Sequence, residues 1–384
     1  MSDILIAETA AGALQCVYFD ANRCRSCSEL PRPYDQQLAA KQAQAQTALA
    51  PFAPSWLAPW ASASSGFRNK AKMAIGGTIS APTLGLLDGS GAGIDLLGCA
   101  LYSPTMQAAF AVIREALIAA KVPPYDLLQR RGEGKYVLLT EAPGTGELLL
   151  RFVLRSSEAT ERIRKQVSAL QTALPKLRVV SINLLPEHKA VTEGETELLL
   201  TERNSIRCKI NGIDMYLTPR SFLQTHSIGA AALYTQARDW IDSRQPRSVW
   251  DLYCGVGGFA LHSAAPDRQI VGVESTAEAI NAARLSDANI EWICADASVW
   301  ASAQPKSADC IIVNPPRRGI GPQLAFWLNA SQSATLLYSS CNVLSLARDL
   351  TAMPQYRIAA ARVFDLFPHT RHFETLVLLD RVQN

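Results

Sequence analysis

From Asn204 onward the chain repeats an apolar segment, a turn and a helical pattern with a regularity that leaves few folds open to it. The series begins at Arg247-Ser248-Val249-Trp250-Asp251-Leu252-Tyr253-Cys254-Gly255-Val256-Gly257-Gly258-Phe259, a strand running into a glycine-rich turn and a helix start. Further strand candidates follow at 270–274, 290–294, 310–314, 335–338, 359–364 and 374–380. Strands at these spacings specify an α/β fold built on a doubly wound parallel sheet, with the last two short-linked and antiparallel. In such a sheet ligands collect outside the carboxyl ends of the strands. Those ends are where chemistry-bearing residues have meaning.

The first strand end reads Asp-x-x-Cys-Gly-x-Gly-Gly, with Asp251 ahead of Gly255, rather than the pyrophosphate pattern G-x-G-x-x-G. Glycines let the backbone approach a bound group closely, and an acid at this point suits a ligand ammonium. Glu274 closes the second strand where a ribose diol would lie, and Asp296 follows the third as a partner for an adenine amino group. Each acid alone is more often a cap or a solvated residue. Taken in order, an amino acid, a ribose and an adenine describe S-adenosylmethionine, and hence a Rossmann-like domain for that cofactor. The fourth strand ends in Asn314-Pro315-Pro316-Arg317-Arg318-Gly319, a turn that its prolines make rigid. It holds Asn314 toward the cofactor's methyl end and offers Arg317 and Arg318 to a nucleic-acid backbone.

A fifth strand runs through Leu336-Leu337-Tyr338 and stops in Ser339-Ser340-Cys341-Asn342, just before another helical pattern. The thiol of Cys341 therefore sits at a strand-to-helix turn on the ligand edge, the placement of a nucleophile.

Other cysteines mark the N-terminal half. Cys16, Cys24 and Cys27 follow the spacing C-x7-C-x2-C in a loop-like segment, and Cys99 lies farther on. Four thiolates are the ligand set of a [4Fe–4S] cluster or of a structural zinc, and ligand count alone does not separate the two. Cys208, Cys254, Cys294 and Cys310 are assigned to packing. The stretch 33–46 reads as a polar helix and 51–60 as an irregular connection. Strand-like and helical segments then alternate as an α+β domain, opened by Arg68, Lys70 and Lys72 at alternating positions that could face a phosphate backbone. Three segments are expected: a cluster-binding one over 1–65 with Cys99 as fourth ligand, a central RNA-binding one over 66–203, and a catalytic one over 204–384.

With 384 residues, 48% apolar and 18% charged, the composition is that of an ordinary globular protein of more than one domain. The formal charge of +3 says little about partners. No continuous apolar span and no leader pattern after Met1 are evident. A cytoplasmic protein off the membrane is expected, and nine cysteines in that compartment point to metal or nucleophile roles rather than disulfides.

Together these motifs resemble the S-adenosylmethionine-dependent RNA uracil-C5 methyltransferases. The resemblance rests on Gln224 in Ser221-Phe222-Leu223-Gln224-Thr225, the 251–258 turn, Glu274, Asn314-Pro315-Pro316-Arg317, Ser339-Ser340-Cys341-Asn342 and Pro368-His369-Thr370-x-His372-x-Glu374, all in the family's order. It implies Gln224, Tyr253, Glu274 and Asn314 as cofactor contacts, Cys341 as nucleophile and Glu374 as general base. It also implies [4Fe–4S] rather than zinc at Cys16, Cys24, Cys27 and Cys99. One rRNA-modifying type carries an RNA-binding barrel before its cysteines. With fifteen residues ahead of Cys16, the chain resembles the shorter type, which implies 23S rRNA as substrate and a monomer. The alternatives are a uridine in tRNA or elsewhere in rRNA, or a non-catalytic RNA-binding or assembly protein on the same fold. An intact Cys341 and Glu374 oppose the latter. A redox enzyme built on the N-terminal cysteines lacks its βαβ context.

Overall fold

The computed structural model describes residues 14–188, 191 and 193–382. The N-terminal residues read for a leader lie outside them. Two compact units interleave in sequence, one of Met1–Cys27 with Ser64–Lys209, the other of Ser28–Ala63 with Ile210–Asn384. The expected 1–65 segment is thus divided. Its cysteine loop, containing α1 (Val17–Asp20), belongs with the central sheet, whereas the part with α2 (Tyr34–Leu49) belongs with the C-terminal sheet.

The first unit is a seven-stranded sheet in the order β3-β2-β1-β4-β5-β6-β7. Its strands are β1 (Lys70–Gly77), β2 (Pro82–Leu87), β3 (Gly93–Asp95), β4 (Gly134–Glu141), β5 (Leu148–Leu154), β6 (Leu177–Leu184) and β7 (Thr196–Leu199). Only β5 and β6 pair in parallel. Strand alternation sends Ala71, Met73 and Ile75 into the core and Lys70 and Lys72 to the other face. Against the apolar face packs α3 (Pro104–Ala119). Its buried Met106, Phe110, Ile113 and Leu117 recur every three or four residues, and its N-terminus is capped by Ser103, whose side chain accepts from the Met106 N–H at 3.2 Å. Two short helices follow β5, α4 (Thr160–Arg164) and α5 (Val167–Ala173), separated by Lys165 and Gln166.

After β8 (Ile206–Ile210), β9 (Ile213–Leu217) and α6 (Ser227–Arg244) come the expected βα units. They are β10 (Ser248–Leu252), α7 (Gly258–His262), β11 (Gln269–Glu274), α8 (Ala277–Ser286), β12 (Glu291–Cys294), α9 (Ala297–Ser302), β13 (Cys310–Val313), α10 (Gly321–Ala330), β14 (Thr335–Ser340), α11 (Val343–Thr351), β15 (Tyr356–Phe364) and β16 (Glu374–Arg381). The sheet order is β12-β11-β10-β13-β14-β16-β15. The five strands from β12 to β14 run parallel, and β16 is antiparallel to both its neighbours. Strand order reverses between β10 and β13, the switch point where a crevice opens. Helices on both faces explain why β13 is buried throughout and reads as an unbroken apolar run.

The outer edge of β15 is covered by chain from the N-terminal half. Ala361 N–H donates to the Ser55 carbonyl at 2.9 Å, and the N–H groups of Leu57 and Trp60 donate to Ala361 and Val363 at 2.9 and 2.8 Å. Pro51, Pro54 and Pro59 make this stretch read as irregular, yet prolines suit a strap that pairs along one side only. Ala45 and Leu49 of α2 join the sheet's core, and the buried Lys41 ammonium meets Asp365 at 2.7 Å.

Candidate active site

The crevice is built from strand ends. Beyond β10 the chain turns with Tyr253 at φ 66°, Gly255 at 55° and Gly257 at 90°, a left-handed series that glycine adopts without a Cβ penalty. A Cβ on Gly257 would lie 2.4 Å from the Trp292 ring, whereas none of the surrounding atoms comes within 4 Å of one on Gly255. The turn is tight on its inner side and open at Gly255. Gly255 N–H donates to Glu274 Oε2 at 3.3 Å, and Glu274 Oε1 accepts from Ser275 Oγ and Thr276 N–H at 3.0 and 2.9 Å. Half-buried Tyr253 and Asn314 stand on adjacent strand ends, with Asn314 N–H on the Leu252 carbonyl at 3.4 Å. Gln224 is buried in the segment between β9 and α6.

Two acids also hold the ends of helices. Asp251 is wholly buried beneath the turn, and its Oδ2 accepts from Ala260 N–H at 2.9 Å, pinning the start of α7. Burial, helped by Glu274, pushes its carboxyl up to about 8. Its Oδ1 has no hydrogen-bond partner among the described residues. Asp296 is exposed and caps α9, its Oδ1 accepting from Ser298 and Val299 N–H at 2.9 and 3.0 Å. Its visible role is therefore the cap.

Cys341 leaves β14 just before α11, beside a cleft of about 220 Å³ lined also by Gln44, Arg317, Arg371, His372 and Phe373. Asn342 caps α11 through Leu344 N–H at 3.2 Å and donates its amide to the Arg317 carbonyl at 3.1 Å. One residue thereby fixes the nucleophile turn to the proline turn. Glu374 opens β16 fully buried, accepting a short hydrogen bond from Ser339 Oγ. Burial raises it to about 7, the Ser339 bond opposing the shift. Burial and then the Glu374 charge push the Cys341 thiol up, while Arg317, through its charge and a hydrogen bond to the thiol, pulls it down. Arg317, expected on a phosphate backbone, also brings its charge to the thiol, which sequence spacing does not reveal. Ser339 was also missed, because nothing in the sequence pairs it with a residue on another strand. Arg318 is exposed, and its carbonyl is held by Arg348.

The four N-terminal cysteines all belong to the first unit. Burial raises the Cys27 thiol to about 12, with Cys99, Cys24 and Cys16 adding to it; Cys99 is raised by burial and by Cys16 and Cys24. The Arg68 charge opposes both shifts. Among the described residues, no group of three or more His, Cys, Asp or Glu side chains is placed to hold a metal ion. Cys208, Cys254 and Cys310 are buried as assigned, but Cys294 is exposed. It ends β12, the outer strand of its sheet, where packing stops.

A methyltransferase fold is independently recognisable: residues 229–330 match the methyltransferase small domain, and residues 304–382 match the family described as tRNA (Uracil-5-)-methyltransferase. The chain belongs to the RNA uracil-C5 methyltransferase family. It is 42% identical over 372 residues to the 23S rRNA (uracil(747)-C(5))-methyltransferase RlmC of Escherichia coli O127:H6 (strain E2348/69), covering 95% of this chain and 99% of that protein. The same figures hold for RlmC of Escherichia coli strain 55989. Among solved structures it resembles the Pyrococcus abyssi tRNA (uracil-54, C5)-methyltransferase in complex with S-adenosyl-L-homocysteine. That match has a TM-score of 0.79 at 25% identity, over 93% of this chain and 84% of that one.

Proposed function

We propose that the protein methylates C5 of a uridine in 23S rRNA with S-adenosylmethionine as donor. The observation that carries the proposal is the union at one sheet edge of the open glycine turn with a thiol, a guanidinium and a buried carboxyl. The residues fit the cofactor: Gly255 leaves room for close approach, Glu274 lies against the turn, and the unpartnered Asp251 Oδ1 is a buried acceptor beneath it. Gln224, Tyr253, Glu274 and Asn314 would hold it. When bound, it supplies an electrophilic methyl group.

Cys341 adds to C6 of the base, which makes C5 nucleophilic. The free thiol is raised rather than lowered, so activation falls to Arg317, whose charge and hydrogen bond favour the thiolate as the sulfur loses its proton. After methyl transfer the C5 proton goes to Glu374 as carboxylate, and the C6–S bond breaks to return the thiolate. A pKa of about 7 suits a base at neutral pH. A flipped-out uridine would reach Cys341 through the cleft. The protein works in the cytoplasm as a monomer.

Cys16, Cys24, Cys27 and Cys99 are proposed as ligands of a [4Fe–4S] cluster. The Cys27 and Cys99 thiols each feel the charge of other cysteines of the set, and four thiolates are a ligand set that such a cluster takes. The chemistry needs no electron, so the cluster's part is to hold the loop and position RNA.

Incubation with labelled S-adenosylmethionine and hypomethylated total RNA tests the substrate. Label at a uridine C5 of 23S rRNA is expected. Label confined to tRNA would replace it with the substrate of the Pyrococcus relative. RNA containing 5-fluorouridine should trap a covalent adduct through Cys341.

A further inference from the structure

The first unit holds a second cavity, of about 320 Å³, lined by Tyr125, Lys135, Tyr136 and His188 with apolar walls that include Leu127 and Leu185. Within it the Lys135 ammonium lies 4.6 Å from the Tyr125 ring centroid and donates to the Glu187 carbonyl at 2.7 Å. The Tyr125 hydroxyl meets His188 Nδ1 at 3.2 Å. Both groups are held by partners, so cation and ring are preset rather than free to collapse. Tyr136 is half-buried, and Lys72 Nζ lies 4.5 Å from its ring centroid. The turn that supplies Leu127 also carries Arg130 and Arg131, both exposed.

We propose that this cavity binds one unstacked nucleobase of the RNA substrate, seated against Tyr136 with Lys135 and with Arg130 and Arg131 toward the adjoining phosphates. A cavity walled by aromatic and apolar side chains, with Lys135 and Glu187 in its lining and two exposed arginines on the adjoining turn, matches the chemistry of a base and its phosphate, since every base has a stackable face and every nucleotide a negative charge. The exposed Arg130 and Arg131 beside the cavity favour a ligand that carries negative charge over an apolar peptide, and the volume falls in the range of small-ligand sites. The base is not the methylated one, whose chemistry belongs to Cys341 in the other unit. It is a second anchor that sets which uridine arrives there. The inference rests on the proposed action on RNA.

The test uses the full chain and an unmodified 23S rRNA transcript substituted with 4-thiouridine. Long-wavelength irradiation and peptide mapping should give an RNA crosslink to the segment containing Tyr125 or Tyr136. Tyr136→Leu and Lys135→Met should each weaken equilibrium binding by about five-fold or more, the scale of a lost base–aromatic stack. Tyr136→Phe, which keeps the ring, should bind as the unaltered protein does, with an unchanged melting curve for all three. If the leucine and methionine variants fold and bind normally, or the crosslinks avoid this segment, the inference is overturned. A protein that binds S-adenosylmethionine but neither binds nor methylates any RNA would instead overturn the proposed function.

Discussion

The two seven-stranded sheets hold their chemistry in different places. In the second unit parallel strands end together, and the side chains that matter sit on turns at one edge, from Tyr253 to Cys341. In the first, strands are nearly all antiparallel, one face is given to α3, and the polar residues lie across the other face and in loops. The parallel sheet makes a reaction centre, because its topology opens a crevice at the switch point. The antiparallel sheet offers a broad surface, which suits recognition. Variants at the edge should therefore stop chemistry and spare RNA affinity, and variants in the first unit should do the reverse.

The largest effect expected is at Cys341. Cys341→Ala should abolish turnover and the 5-fluorouridine adduct while leaving RNA binding intact, and a persisting adduct would move the nucleophile elsewhere. Glu374→Gln should lower turnover by about 10²–10⁴-fold. Because addition and methyl transfer precede its step, a protein–RNA adduct should accumulate with ordinary RNA on denaturing gels. Across the division, Cys24→Ala should lower thermal stability and RNA affinity; a variant equal to the parent in both would remove the structural role proposed for a cluster there. The pH dependence is gentler. Glu374 accepts a proton only as carboxylate, so with its pKa near 7 the single-turnover release step should rise from pH 6 to pH 8, and a flat profile would exclude it as the base.

The smallest effect concerns Asp251. An ordinary aspartate ionises near 4 in the unfolded chain, whereas here it ionises at about 8 in the folded one. Between those values the unfolded state binds fewer protons, so this group erodes stability as pH rises from 4 to 8. Asp251→Asn should remove that slope and gain a few degrees of melting temperature at pH 8, while weakening S-adenosylmethionine. Equal cofactor affinity would confine Asp251 to pinning α7.

The parallel sheet was legible in the sequence because its central strands are apolar runs and the turns after β10 and β13 carry glycine or proline. Cys341 and the 251–258 turn stood out for the same reason: topology alone puts them on the ligand edge. Glu374, by contrast, came from resemblance, since a carboxyl at the start of a strand looks solvated until burial is seen. The influence of Arg317 on the thiol was not legible, because spacing gives its strand end but not the direction of its side chain. Asp296 adds a role that spacing did not show, the cap of α9 through one carboxylate oxygen. The strap over β15 was invisible, because pairing between residues near 57 and 361 leaves no local signal and the prolines argued for a loop.

That strap also bears on how the protein is made. A ribosome adding about 5–20 residues per second delivers Ser55 and Trp60 long before β15 emerges, by an interval on the order of 15–60 s. The first unit can close around Ser64–Lys209 meanwhile. Throughout that time Leu49, Trp56 and Lys41 lack the partners they will bury against. Nascent chains stalled before Ala361 should consequently engage chaperones through the 28–63 segment, and the nucleophile turn would be completed only when the last two strands arrive.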